Sequence, residues 1–545
     1  MKGAAPQTSQ EQKTLARLRA RPSGPADPLR AADWAFFAIL TGFALLFRVH
    51  LIGAPSLWAD EGASLTFARL DWGTLWGVLP TIETNPPLYY AILKLWTAFT
   101  DSTEAMMRLP GAMAGALAAG VTFLAGHRFF GRGAGIVAGA FVALSAVSVA
   151  HAQEARAFAF VSLLVVLALW LIAIAVERIA EGEPRTGVLL LLAICLGLLP
   201  NMHYSGFFVV LVLAGFVLVL LVLRGLLTGR VLSNIALVAV VAGIVAAPAI
   251  FWTLGHLSAT DNPVGWLSPP GFWDAKYVFH QTFGAKHLSF AAPEALGDMR
   301  AAKILSPRRL VEISLFLICA GAFFAALLRR DRVVPSLVAA IGFAVVLFFA
   351  VSQSKPILLE RSVLFLVPLI ALIAGAGVMA LRDARLVFPL ALVVLIGQGA
   401  NLAAYYPEAE KENWRDAVTV MQEMHQDGDA LVFASGPFLP VSVSSVALLR
   451  YYWQGDLPGV LVTLPSAEAM RMYRLGLLAD PVLRDAGDAA FCPVLGASGG
   501  AVVLSRFPEQ DAALDAPLSA IGGTKSAQEV VGLIGVSRWR GLDCP

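Results

Sequence analysis

Long apolar runs separated by short charged breaks dominate the first 403 residues of the chain. Runs long enough to cross a bilayer as helices, about 20 residues each, lie near residues 34–52, 104–126, 134–151, 157–176, 187–201, 204–224, 232–252, 311–328, 333–351, 362–381 and 386–403. The run at 187–201 is short and the run at 104–126 is rich in Gly and Ala, so the pattern predicts about 11 spanning helices, within ten to twelve. The runs are continuous rather than alternating, which excludes a transmembrane β-barrel. Residues 1–33 are polar and read as a disordered cytoplasmic segment. The first apolar run ends without a small-residue cleavage site and reads as an uncleaved signal anchor.

After about Ala404 the pattern changes. Charges become frequent, and β-like runs such as LVFAS and GVLVTL alternate with a helical stretch at WRDAVTVMQEM. Residues 404–545 therefore read as a small α/β domain following a membrane domain at 34–403. Two further segments fall between spans, at about 53–103 and 253–310. In the first, Pro86 and Pro87 open a helix in which Tyr89, Tyr90, Lys94 and Trp96 form an amphipathic, interfacial face.

Composition fits the pattern. Of the 545 residues, 58% are hydrophobic and 14% charged, too few charges to coat a soluble body of this size. The net charge of +2 lends no support to nucleic-acid binding. Alternate breaks hold Arg128 and Arg132, Arg178 and Arg185, Arg224 and Arg230, Arg329, Arg330 and Arg332, and Arg382 and Arg385. The positive-inside rule then puts the N-terminus in the cytoplasm and the C-terminal domain outside. Cys195 and Cys319 sit within apolar spans. Cys492 and Cys544 lie in the C-terminal domain, where an oxidising compartment would leave a disulfide open to them.

The charged residues next to the spans carry the candidate chemistry. Asp60 and Glu61, in S-L-W-A-D-E-G, follow the first span and open a helix-like stretch. They read either as reactive carboxylates or as a helix cap. Glu83 and Asn85 precede the two prolines. Arg108 enters the second span, where a snorkelling anchor is the plainer reading. Glu154 and Arg156 enter the fourth span and read as a functional pair or as partners of each other. His203 marks the outer end of the sixth. Arg361, near Lys355 and Glu360, begins the tenth; a guanidinium there suits a phosphate as well as it suits an interface anchor. No metal-ligand motif, nucleotide loop or nucleophile elbow is visible.

In this order, the acidic pair after span one, N-P-P-L-Y-Y, R-L-P at span two and A-R-A-F at span four resemble the polytopic GT-C glycosyltransferases. The nearest group is the bacterial branch of the dolichyl-phosphate-mannose protein mannosyltransferases (glycosyltransferase family 39), together with the lipid A aminoarabinose transferases. The resemblance covers about residues 34–403 and is most specific over Asp60–Tyr90. The chain departs from the group at Asn85, where many relatives have His, and at Phe158, often Tyr. The resemblance implies a polyprenyl-phosphate-linked sugar donor, a glycan, lipid or protein acceptor bound from the periplasmic side of a bacterial inner membrane, Asp60 as general base and Glu61 as its support.

That chemistry is coherent without the name. The transition state is oxocarbenium-like, a carboxylate takes the acceptor proton, and cations stabilise the leaving phosphate, with inversion at the anomeric carbon. Arg361, supported by Lys94, Arg108 and Tyr89, suits the donor phosphate or lipid, and Glu83, Asn85, Glu154, Arg156 and His203 are candidates for the substrate cleft. The residues single out no cofactor, and a divalent cation held by Asp60 and Glu154 is the second-ranked source of the same positive charge. A secondary transporter and a non-catalytic cell-envelope assembly protein are the rival readings; the first usually shows two related halves, and none is visible. Cysteine labelling of intact cells tests the topology: single cysteines within 410–540 should react with a membrane-impermeant reagent, and protection of all of them would reverse it.

Overall fold

The computed structural model describes residues 29–77, 83–257, 268–288, 307–381, 383–434, 441–463, 483–485, 499–507 and 514–543. The N-terminal polar segment up to residue 28, much of the 253–310 segment, Cys492 and Cys544 lie outside them.

Apolar helices occupy all eleven predicted positions. Eight are long and apolar enough to span: α1 (Ala31–Val49), α5 (Glu104–Phe130), α8 (Phe158–Ala180), α10 (Gly206–Arg224), α11 (Gly229–Leu257), α13 (Pro307–Arg329), α14 (Val333–Ser352) and α17 (Ala384–Tyr405). Two are shorter, α9 (Thr186–Met202) and α16 (Leu366–Ala380). The remaining run is broken: α6 (Arg132–Leu144) and α7 (Ala146–Ala152) meet at a 57° bend. Ser145 makes the break by turning its hydroxyl to the Ser148 N–H at 3.4 Å, capping α7. The carbonyls of Val142 and Ala143, freed by the bend, accept from Arg48 of α1 at 3.1 and 3.2 Å. An arginine buried in the apolar bundle thus satisfies backbone groups that lipid cannot. Small residues let these helices touch: a Cβ on Gly126 would lie 2.8 Å from the Gly135 Cα.

The loop after α1 carries three short helices, α2 (Ala59–Arg69), α3 (Trp72–Gly77) and α4 (Leu88–Thr97). The pattern predicts two; the third arises because Asp71 accepts from the Thr74 N–H at 3.0 Å and starts a new turn. Two further short helices, α12 (Phe272–Phe283) and α15 (Glu360–Val363), flank the bundle.

The C-terminal region folds as a six-stranded mixed sheet. Its strands are β1 (Ala430–Ala434), β2 (Val460–Thr463), β3 (Leu483–Asp485), β4 (Gly500–Ser505), β5 (Thr524–Val531) and β6 (Ile534–Arg540), in the order β3-β2-β1-β4-β6-β5. The first four in this order are parallel, whereas β6 runs antiparallel to both β4 and β5. Alternation along β1 sends Ala430, Val432 and Ala434 to a face covered by α20 (Asp515–Ala520), and Leu431 and Phe433 to the other. On that second face lie α18 (Trp414–Met424) and α19 (Val441–Tyr452).

The core on that face does not stop at the domain boundary. Trp414, Val418, Leu448 and Phe433 pack in one cluster with Leu65, Phe67, Tyr90 and Leu93 from the loop after α1. Helices α2 and α19 approach so closely that a Cβ on Gly62 would sit 2.6 Å from the Ser444 carbonyl oxygen. Gly62→Val should therefore force the two helices apart at a cost of about 1–3 kcal/mol. Limited proteolysis of the membrane-embedded protein should release the C-terminal domain faster than from wild type; an unchanged digestion rate would refute this contact.

Candidate active site

Asp60 and Glu61 occupy successive positions in the first turn of α2 and face different surroundings. Adjacent helical residues project about 100° apart, so a helix held against a wall buries one and leaves the other at the edge. Glu61 has no exposed surface. Its carboxylate accepts from Arg108 Nε at 2.8 Å and Nη2 at 2.6 Å, and from the Ala155 N–H at 2.8 Å. The remaining N–H groups of Arg108 donate to the carbonyls of Ile52 at 2.9 Å, Pro55 at 2.8 Å and Ser56 at 2.8 Å. All five guanidinium donors are thus taken. Arg108 neither snorkels nor offers a free donor to a phosphate; it ties α5 to the chain leaving α1. Glu61 is likewise a structural anchor, joining α2, α5 and the start of α8.

The Asp60 side chain is 29% exposed. Its Oδ2 accepts from Arg361 Nη1 at 3.0 Å, with Arg156 Nη2 4.0 Å away. Arg156 also points at the Asp60 carbonyl at 3.3 Å and at the Ser64 and Tyr90 hydroxyls at 3.5 Å. Both guanidinium groups lie over Phe158, at 6.0 Å for Arg156 and 5.9 Å for Arg361, and Phe158 in turn touches the rings of His151 and His203. Asp60, Arg156, Arg361, Phe158 and His203 therefore form one cluster, drawn from α2, the start of α8, α15 and the end of α9. Glu83 lies within the field of Arg156 and Tyr90. It accepts from the backbone and side-chain amides of Asn85, both at 2.8 Å, so Asn85 orients Glu83. Burial, then the charge of Glu83, pushes the Tyr90 hydroxyl above its ordinary pKa, so it stays protonated.

Two predicted members sit elsewhere. Lys94 donates to the Leu70 carbonyl at 2.6 Å and covers the Trp72 ring, closing the C-terminal end of α2, where a cation is favoured. Tyr89 is buried between Tyr90 and Phe160 and acts as packing.

Glu154 begins a second ionic chain. It pairs with Lys411 and with His151 Nδ1 at 3.0 Å. His151 Nε2 lies 3.8 Å from Glu360, which also holds Lys286 at 3.0 Å. Burial opposes the charge on Glu154, but Lys411 and His151 outweigh it and hold the carboxyl below the usual carboxylate range. Asp60 and Glu154 thus each face cations. Among the described residues no three metal-ligating side chains gather. His151 has a sequence signal, three residues before Glu154. Lys411, 257 residues away, has none.

A family model described as dolichyl-phosphate-mannose-protein mannosyltransferase matches residues 84–252. No curated protein sequence matches the chain. The crystal structure of ArnT from Cupriavidus metallidurans in the apo state superposes with a TM-score of 0.60 at 13% identity, covering 93% of this chain and 98% of that one. The same protein bound to undecaprenyl phosphate gives 0.55 at 14%, with the same coverage.

Removing one partner of the buried pair should be severe. Arg108→Ala leaves the buried Glu61 carboxyl without its ion-pair partner, at a cost of about 3–5 kcal/mol. Thermal unfolding in detergent should show a large drop in midpoint, and a variant as stable as wild type would refute the anchoring role. On fold and sequence together, the chain is a multi-pass membrane protein that shares the fold of ArnT and is similar over residues 84–252 to the dolichyl-phosphate-mannose-protein mannosyltransferases.

Proposed function

We propose that this chain is an inverting glycosyltransferase that moves a sugar from a polyprenyl-phosphate donor to an acceptor hydroxyl at the outer face of a bacterial inner membrane. One observation carries the reading: a partly exposed carboxylate, Asp60, lies against Arg361 and Arg156 where the helix bundle meets the C-terminal domain. The binding of undecaprenyl phosphate by ArnT, which has the same fold, is consistent with such a donor here.

The geometry suits displacement at the anomeric carbon. The acceptor oxygen forms the new bond to that carbon and gives its proton to Asp60. The bond from the carbon to the phosphate oxygen breaks, and its electron pair leaves with the polyprenyl phosphate. Arg361 neutralises the charge that builds there. With no donor bound, Arg361 holds Asp60 in an ion pair at 3.0 Å. A donor phosphate that draws Arg361 away frees Asp60 when a leaving group is in place. Attack opposite to the departing phosphate inverts the configuration.

A panel of polyprenyl-phosphate sugars, offered to the purified protein with an envelope extract as acceptor, tests this. Wild type should release polyprenyl phosphate, and Asp60→Asn should slow release by a factor of at least about 10². Near wild-type turnover in that variant would rule out Asp60 as the base. Arg361→Ala should weaken donor use strongly; an unchanged rate and affinity would move the phosphate site elsewhere. Bound donors without turnover by wild type would point to a missing acceptor, and no donor binding would revive the transporter.

A further inference from the structure

The segment Glu410–Arg415, between the last span and the C-terminal sheet, makes a dense set of contacts with the chain leading to Asp60. Ser56 Oγ lies 2.5 Å from the Glu412 carbonyl and accepts from the Trp414 N–H at 3.0 Å. The Ser56 N–H donates to Glu410 at 3.2 Å. Arg415 bonds the Ala54 carbonyl at 3.0 Å and pairs with Glu104 at 2.5 Å. Tyr452 of α19 accepts from the Leu57 N–H at 2.7 Å and donates to the same Glu104 at 3.1 Å.

Glu412 stands at the centre. Its residue is only 4% exposed. One carboxylate oxygen accepts from Arg506 through Nε at 3.0 Å and Nη2 at 2.5 Å. The other accepts from the Trp414 indole at 2.8 Å and from the Ala59 N–H at 3.0 Å. Ala59 is the first residue of α2, immediately before Asp60. The free N–H groups of a helix N-terminus favour an anion, and here the anion comes from a residue 353 positions away. Arg506, just beyond β4, gives this buried carboxylate an ion-pair partner.

We infer that Glu412 is a positioning residue for Asp60: as an N-terminal cap supplied to α2 by the distant linker of the same chain, and braced by Arg506 of the sheet domain, it fixes the helix turn that carries the base. The C-terminal domain is then part of the active-site scaffold rather than a separate recognition module. This rests on the reading of Asp60 as the general base. The cap and the Glu61–Arg108 pair hold α2 from two sides. The pair fixes the helix against the membrane bundle, and the cap fixes its first N–H against the sheet domain. Loss of the cap alone leaves the bundle anchored but lets the first turn fray, which displaces Asp60 relative to Arg361 and the donor.

The test uses the full chain in lipid nanodiscs, with Glu412→Ala, Glu412→Gln and Asp60→Asn beside wild type. Hydrogen exchange of the peptide covering residues 57–62 is the first readout. It should rise by about tenfold in Glu412→Ala, the factor that corresponds to one lost hydrogen bond of ordinary strength. Release of undecaprenyl phosphate from an undecaprenyl-phosphate-sugar panel is the second. In Glu412→Ala, kcat should fall by about 10- to 100-fold, as expected for a misplaced reacting group, while KM for the donor stays within about twofold of wild type. Glu412→Gln keeps an oxygen for the Ala59 N–H and should recover part of both losses.

Exchange at 57–62 that is unchanged in Glu412→Ala would overturn the proposal, as would raised exchange with undiminished kcat. Parallel losses in kcat and donor binding, with no recovery in Glu412→Gln, would mark a general folding defect and also overturn it. The Asp60→Asn variant separates the two readings. Activity retained there defeats the base assignment, and the exchange result alone then decides whether Glu412 holds the turn.

Discussion

The ion pair between Glu61 and Arg108 is the interaction on which the rest of the site depends. Both side chains are buried, the pairing is bidentate, and every remaining donor of the guanidinium meets a backbone carbonyl. A buried ion pair contributes little net stability on average, because desolvation offsets the attraction. What it does supply is a unique geometry. One guanidinium satisfies the carbonyls of Ile52, Pro55 and Ser56 while it pairs with Glu61. The chain leaving α1 is therefore fixed in path, and the first turn of α2 is fixed in rotation.

That rotation separates two neighbouring acids into different chemistry. Glu61 faces the wall and its carboxylate is saturated with donors. Asp60 faces the edge, where one guanidinium touches it directly and a second stands at the limit of an ion pair. The oxygens of Glu61 are occupied by Arg108 and the Ala155 N–H, whereas the Asp60 carboxylate keeps an exposed edge that a bound substrate can reach. Around this core the ionic chain of Lys411, Glu154, His151, Glu360 and Lys286 links the linker, the α7–α8 junction, α15 and the segment after α12. It ties together elements that are distant in sequence and close in space.

Much of this was readable from the residues in order. Each of the eleven apolar runs falls on helix among the described residues, one of them broken in two, and the Pro86–Pro87 pair does open α4. Asp60 stood out as an acid beside a span. What local pattern cannot show is which charges meet. Asp60 and Glu61 look alike as letters, and only the wall behind α2 distinguishes them. Arg108 and Lys94 read as cations for a phosphate, yet one is bound to Glu61 and the other closes the end of α2. Glu412 looks like the polar start of an amphipathic helix with Trp414, Arg415 and Asp416, because its partner Ala59 lies 353 residues away, and Lys411 carries no signal at all. The 57° break at Ser145 was hidden for the same reason: its freed carbonyls are satisfied by Arg48, on a different helix.

In the proposed mechanism Asp60 and the donor phosphate compete for Arg361. The most direct measurement is an experimental structure of the lipid-embedded protein with undecaprenyl phosphate bound. The phosphate is expected within hydrogen-bonding distance of Arg361, with the Asp60 carboxylate turned out of that ion pair and Glu61 still locked to Arg108. A phosphate bound away from Arg361, with the Asp60–Arg361 pair intact, would contradict it.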